Sequence, residues 1–230
     1  MENAFDGLNQ YFERGVLEQA KRYNYSEPNI LILKNNLAYD FELKWKYPQI
    51  CENIFSCSKQ SDKREPLDFA RDIVAGWVFE DYIMQMMRSE VFAVKLGGAD
   101  KEREILPANK VTYRSDFVLK YQKKSYKLEL MTNYTGYWSN CGRFHLRCDK
   151  YKDLVEEKCF LLGVCIVSNR FLLIDFDEAP KSKRIEHLVW KKPAQEIEIC
   201  DSVLFYNLTS EEIVGQLQKH LDGRIKRKMS

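Results

Sequence analysis

Asp116 and Glu129 are the residues whose spacing most directly suggests chemistry. Both lie in VTYRSDFVLKYQKKSYKLELMTN, residues 111–133. Apolar and polar residues alternate on either side of Gln122-Lys123, the pattern of two half-buried strands joined by a tight turn. With a two-residue turn there, Phe117 faces Leu128, Leu119 faces Tyr126 and Ser115 faces Leu130. The other face carries Arg114 opposite Met131, Asp116 opposite Glu129, Val118 opposite Lys127 and Lys120 opposite Ser125. A one-residue slip would mix the two faces, so the pattern itself specifies the register. Directly facing residues have Cβ atoms about 5 Å apart. Two carboxylates so placed repel each other, and a divalent cation between them removes the conflict. Mg²⁺ takes carboxylate oxygens at about 2.1 Å and keeps several waters. A three-residue turn, or solvation of both side chains, is the plain alternative.

Other candidates stand around this hairpin. Glu80 falls within the apolar stripe of a helix predicted near 67–88 (Phe69, Ile73, Trp77, Met84, Met87), either as a boundary residue or aimed into a polar pocket. Downstream, residues 134–143 contain two glycines and polar groups and read as a loop. Tyr134, Tyr137, Trp138, Asn140 and Arg143 would be useful there for contacting sugars, stacking or wedging at a DNA surface. The alternative packs Tyr137 and Trp138 onto the core. His145, Arg147 and Lys150 begin the next predicted helix, and His145 reads as a general base, a phosphate ligand or a plain surface residue. Cys141, His145 and Cys148 offer three zinc ligands without a fourth at finger spacing, so zinc is disfavoured.

The elements that must position these residues follow from periodicity. Residues 1–65 read as a mainly helical extension, with a helix near 7–22 and an apolar run at 29–33. The polar stretch 56–66 separates it from a core over 66–230. After the helix at 67–88 come strands near 90–96, 111–121 and 125–132, then a helix at 145–157. Strands follow near 160–167, 171–176 and 196–206, with a basic loop at 181–184. Thr209 and Glu212 form a capping box for a last helix to about 221. This order predicts an α/β fold, a mixed central sheet flanked by helices.

Composition sets the outer limits. A chain of 230 residues with 45% hydrophobic residues builds a real core. The net charge of +2 gives no global basic field. No run approaches the roughly 20 apolar residues that span a bilayer, and the first residues are too polar for a secretory signal. Seven cysteines at irregular spacing argue against a disulfide framework and for a reducing cytoplasm.

Ser115-Asp116 followed by Glu129-Leu130-Met131 resembles the PD-(D/E)XK nuclease superfamily, whose signature is an aspartate on one strand and acid-x-lysine on the next. Glu80 on the preceding helix fits the glutamate many members carry there. LELMTNYTGYW with FHLRCDKYKDL resembles type II restriction endonucleases in particular, over roughly residues 67–176. The resemblance implies a restriction endonuclease-like fold and Mg²⁺-dependent, site-specific hydrolysis of phosphodiesters in double-stranded DNA by a homodimer. Asp116 and Glu129, with the Leu130 carbonyl and Glu80, would hold metal, and the extension 1–65 is the default dimer contact. Two positions depart from the pattern: Ser115 replaces the usual proline and Met131 the usual lysine. Methionine supplies neither charge nor a useful hydrogen bond. Either the lysine role has moved, to Lys150 or else Lys127, or the protein is a degenerate DNA binder. A nuclease of the same fold in repair or mobile elements is the other alternative.

Overall fold

In a computed structural model of the chain, the described residues are 76–77, 79–80, 83–98, 101–102, 115–133, 137–165, 168–188, 191–199 and 204–228. The expected helix at 7–22, the apolar run at 29–33, the boundary at 65/66 and the first half of the 67–88 helix lie outside these residues. The chain divides into two compact units, Met1–Gln85 with Leu96–Asp116, and Met86–Lys95 with Phe117–Ser230. Of the first unit, residues 76–77, 79–80 and 83–85 are helical, with Trp77, Phe79 and Ile83 buried and Glu80 half-buried.

The second unit is built on a six-stranded sheet, ordered β1 (Ala93–Leu96), β2 (Phe117–Tyr121), β3 (Lys124–Asn133), β5 (Phe160–Cys165), β6 (Arg170–Asp175) and β9 (Phe205–Asn207). β3 and β5 run parallel while β2–β3, β5–β6 and β6–β9 are antiparallel, so the sheet is mixed. The β2–β3 hairpin has the expected register, Phe117 opposite Leu128 through Tyr121 opposite Lys124. Its two turn residues, Gln122 and Lys123, have φ of 45° and 65°. That double positive φ is the twist a two-residue hairpin turn requires.

Parallel strands need a crossover. Here it comprises α1 (Tyr137–Cys141), β4 (Arg143–Arg147) and α2 (Cys148–Glu156). β4 joins a second sheet of three strands, ordered β4, β8 (Lys192–Glu198), β7 (Ser182–His187), all antiparallel. Three expectations are corrected here. Residues 143–147 are a strand and not the start of a helix, because Phe144 and Leu146 bury one face at period two. The basic stretch 181–184 leads into strand β7 and is not a loop. The single strand expected at 196–206 is instead β8 and the short β9.

Alternation along β3 divides its side chains between two covered faces. Leu161, Ile174 and Phe176 form one core with Trp138, Phe144, Leu146, Leu154 and Ile197. The other face meets α3 (Ser210–Arg227), which buries Ile213, Leu217 and Leu221 and begins with Thr209 Oγ1 accepting from the Glu212 N–H at 3.2 Å. Two polar contacts fix α3: Tyr121 donates to Asp222 at 2.5 Å, and Arg224 is ion-paired with Asp175. Arg224 Nε lies 2.9 Å from Asp175 Oδ1, its Nη1 donates to the Lys158 carbonyl at 2.8 Å, and the guanidinium sits 3.8 Å from the Phe160 ring centroid. A charge buried this deeply requires that degree of pairing. Among the described residues no helix is long and apolar enough to cross a membrane.

Candidate active site

Glu129 lies in the middle of β3, next to Leu161 of the parallel neighbour, and is only 8% exposed. A carboxylate taken out of water at this depth needs a partner. Its Oε1 is ion-paired with Lys150 Nζ, the two side chains being 11% and 22% exposed. Lys150 stands in the first turn of α2, whose amphipathic character buries Leu154 against the sheet and directs the lysine stem toward β3. Asp149 accepts from the Lys150 backbone N–H at 2.9 Å. Lys127, two residues before Glu129, pairs instead with Glu157 at 2.7 Å beyond the end of α2. Of the two candidate lysines, only Lys150 is paired with Glu129.

Met131 packs half-buried against the core that contains Trp138. Its neighbour on β5 is Gly163, where an added Cβ would lie 3.2 Å from the Trp138 ring and 2.8 Å from Leu172 Cδ1. The glycine is needed for the indole to approach the sheet this closely. A lysine at position 131 would have to place its stem in that apolar contact, which gives a physical reason for methionine there.

The other sequence candidates fall in both units. Asp116, half-buried, is the last residue of the first unit, and its carbonyl accepts from the Gly97 N–H at 2.7 Å. A Cβ at Gly97 would meet the Ser115 carbonyl oxygen at 2.2 Å, so that approach requires glycine. Glu80 is helical in the same unit, and Leu130 is half-buried on β3. Tyr134 lies outside the described residues. Tyr137, Asn140, Arg143 and Arg147 are exposed.

Trp138 and His145 are corrections. Trp138 is not a surface aromatic: α1 buries it against Phe144, ring centroids 4.5 Å apart. His145 is not a surface residue either. It is 9% exposed, with Nε2 2.9 Å from Glu196 Oε2 and its ring 5.0 Å from His187 and 5.4 Å from Tyr137. Its Nδ1 is buried with no hydrogen-bond partner. The hydrogen bond from His145, helped by Arg143 and Lys183, holds the Glu196 carboxyl below its usual range. Burial, and then His145, push the His187 imidazole down. Glu196, His187, Lys183 and Lys192 were not among the sequence candidates. The alternations Lys183-Ile185-His187 and Lys192-Ala194-Glu196 were the available signal.

Among the described residues no group of three or more His, Cys, Asp or Glu is placed to hold a metal ion. Of the Cys141, His145 and Cys148 set, Cys141 is exposed and Cys148 takes the Gln195 amide at 3.9 Å. No protein-family model matches the chain, and no match is found among curated proteins.

Proposed function

We propose that the chain is a Mg²⁺-dependent endonuclease acting on double-stranded DNA, a PD-(D/E)XK enzyme of the type II restriction kind with a restriction endonuclease-like fold. The observation that carries this reading is the Lys150–Glu129 ion pair. In the acid-x-lysine signature the lysine follows its acid on the same strand. Here that position is Met131, and the cation beside the acid comes from the following helix instead. Support also comes from the hairpin, whose pairs sum to 245 as Phe117 with Leu128 do. This is the register from which the sequence reading sets Asp116 opposite Glu129.

The donor chemistry fits a hard cation. Mg²⁺ keeps most of its waters and needs one or two carboxylates plus phosphate oxygens, fewer protein ligands than a structural metal. On the sequence reading Glu129 and Asp116, with the Leu130 carbonyl and Glu80, would hold it; among the described residues these carboxylates do not form a ready three-acid group. When bound, Mg²⁺ polarises a phosphate oxygen and lowers the pKa of a bound water. Lys150 offsets the negative charge beside Glu129 and orients the attacking water through its ammonium. A homodimer acting in the cytoplasm on palindromic sites completes the proposal, since a two-fold protein matches two-fold DNA.

Plasmid DNA incubated with the full chain and Mg²⁺ tests this. Discrete fragments are the expected result, and a smear would make it a non-specific nuclease. No cutting together with a mobility shift would favour the second reading, a DNA binder without catalysis. The packing of Met131 into the core is the observation on that side.

A further inference from the structure

The three-stranded sheet has one face in the core, and its other face carries exposed charged side chains around the buried His145 and Ala194. Phe144 pairs with Ile197 and Leu146 with Gln195, which sets the core face. The opposite face is fixed by the same register. It carries Arg143, His145 and Arg147 on β4, Lys192, Ala194, Glu196 and Glu198 on β8, and Lys183, Ile185 and His187 on β7. Arg143, Arg147, Lys183 and Lys192 are all exposed. Tyr137, 39% exposed, stands over the His145 ring on this face.

We infer that this outer face, through Arg143, Arg147, Lys183 and Lys192, is a surface that binds the phosphate backbone of duplex DNA. The inference rests on the proposed nuclease reading for its choice of partner. The charge pattern supplies the rest. Glu196 is covered by His145 and by Arg143 at 3.5 Å, so it opposes an incoming phosphate weakly. Glu198 is the exposed acid left on the strands of this face, and Asp149 beside the face pairs with Arg147 at 3.5 Å, a surface contact that a phosphate can replace. The four steps from Arg143 to Arg147 along β4 span roughly 13 Å and the three strands roughly 10 Å. DNA carries a charge about every 3.4 Å of axis on each strand, so a patch of that size meets several phosphates. Antiparallel strands hold their side chains at fixed spacing, which keeps the four cations in register without ordering a loop on binding.

The test is duplex binding by the full chain in Ca²⁺, measured by fluorescence anisotropy across a salt series on two unrelated sequences. Arg143→Ala/Arg147→Ala and Lys183→Ala/Lys192→Ala should each flatten the slope of log K against log salt by about two. The loss should be equal on both sequences. Glu198→Lys should tighten binding, a gain that no merely structural role predicts. All five positions are exposed, and unchanged urea midpoints would show the variants folded. Wild-type slopes in both double variants would overturn the inference, as would a loss confined to the Arg143/Arg147 pair. If the wild type binds with slopes the variants flatten but never cuts, the surface stands and the nuclease reading falls. If it cuts with slopes unmoved, the reverse holds, and no binding at all removes both.

Discussion

Lys150 of α2 is the ion-pair partner of Glu129 of β3, joining a helix to the central strand across 21 positions of sequence. The pair is partly buried, so it has a catalytic consequence under the proposed function and a structural one regardless. Lys150→Ala should lower the single-turnover cleavage rate at least about 100-fold, the lower end for a general catalyst, with DNA affinity nearly unchanged. Lys127→Ala should stay within a few-fold of wild type, since its partner is Glu157. A rate for Lys150→Ala near wild type would remove it from the site. A lowered urea midpoint with unchanged rate would make the pair purely structural.

The two carboxylates proposed as metal ligands make a second prediction. Asp116→Ala and Glu129→Ala should each abolish cleavage while leaving far-UV circular dichroism unchanged. Near wild-type cutting by either variant would remove it from the metal site. Glu129→Gln keeps the shape of the side chain and should be as inactive as Glu129→Ala, because an amide cannot supply the charge.

Arg224 provides a prediction independent of function. Removing its guanidinium leaves Asp175 buried beside Phe160 with a weaker partner in Arg227, at 3.4 Å. Arg224→Ala should cost about 3–5 kcal/mol in urea unfolding, the range for breaking a buried pair. Arg224→Lys should recover only part of this. A lysine cannot hold Asp175 and the Lys158 carbonyl with one planar fork while stacking on a ring.

His220 of α3 lies 6.3 Å from Phe160, ring centroid to centroid. Burial pushes its imidazole below the usual histidine value. Asp175 pulls it up, while Lys219, Arg224 and Arg227 reinforce the lowering. The folded state therefore favours neutral His220 more than the unfolded state does. Its contribution to stability is fully present above the ordinary value of about 6.5 and is lost as pH falls from there toward the folded value. His187 acts in the same direction. Urea midpoints should fall between pH 7.5 and 5.5, and His220→Phe should flatten that fall. An unchanged slope in the variant would assign the dependence elsewhere.

How far these elements could be read in advance depended on local pattern. The β2–β3 hairpin has strict alternation and a turn of fixed length, so its register was legible residue by residue. The final helix was legible at its start, where Thr209 caps it. Its end was not, because Arg224, a core residue, reads as part of a basic tail. β7 has little of the apolar alternation that marks a strand: Ile185 is half-buried between exposed Arg184 and Glu186. Lysines and charges on an edge strand guard against unwanted pairing, and that protection hides the strand from a hydrophobic pattern. Residues 143–147 were misread because the helix beginning at Cys148 follows without a loop. In the candidate site, the acid on β3 could be found from spacing. The burial of Trp138 and His145 depended on Gly163 and Glu196, which are distant in sequence.

The smaller sheet is assembled from two separate detours of the larger one. β4 leaves and returns between β3 and β5, while β7 and β8 leave and return between β6 and β9, which are themselves adjacent partners. The stretch from 176 to 204 therefore behaves topologically as a cassette: its ends are already held together by the main sheet. Changing the outward-facing side chains of that hairpin would leave the strand order of the central sheet untouched, while Phe176 and Ile197 keep the stretch tied to the core. Substitutions at its exposed positions therefore cost little, provided that a strand still covers the open edge of β4 and Ile197 still fills the core.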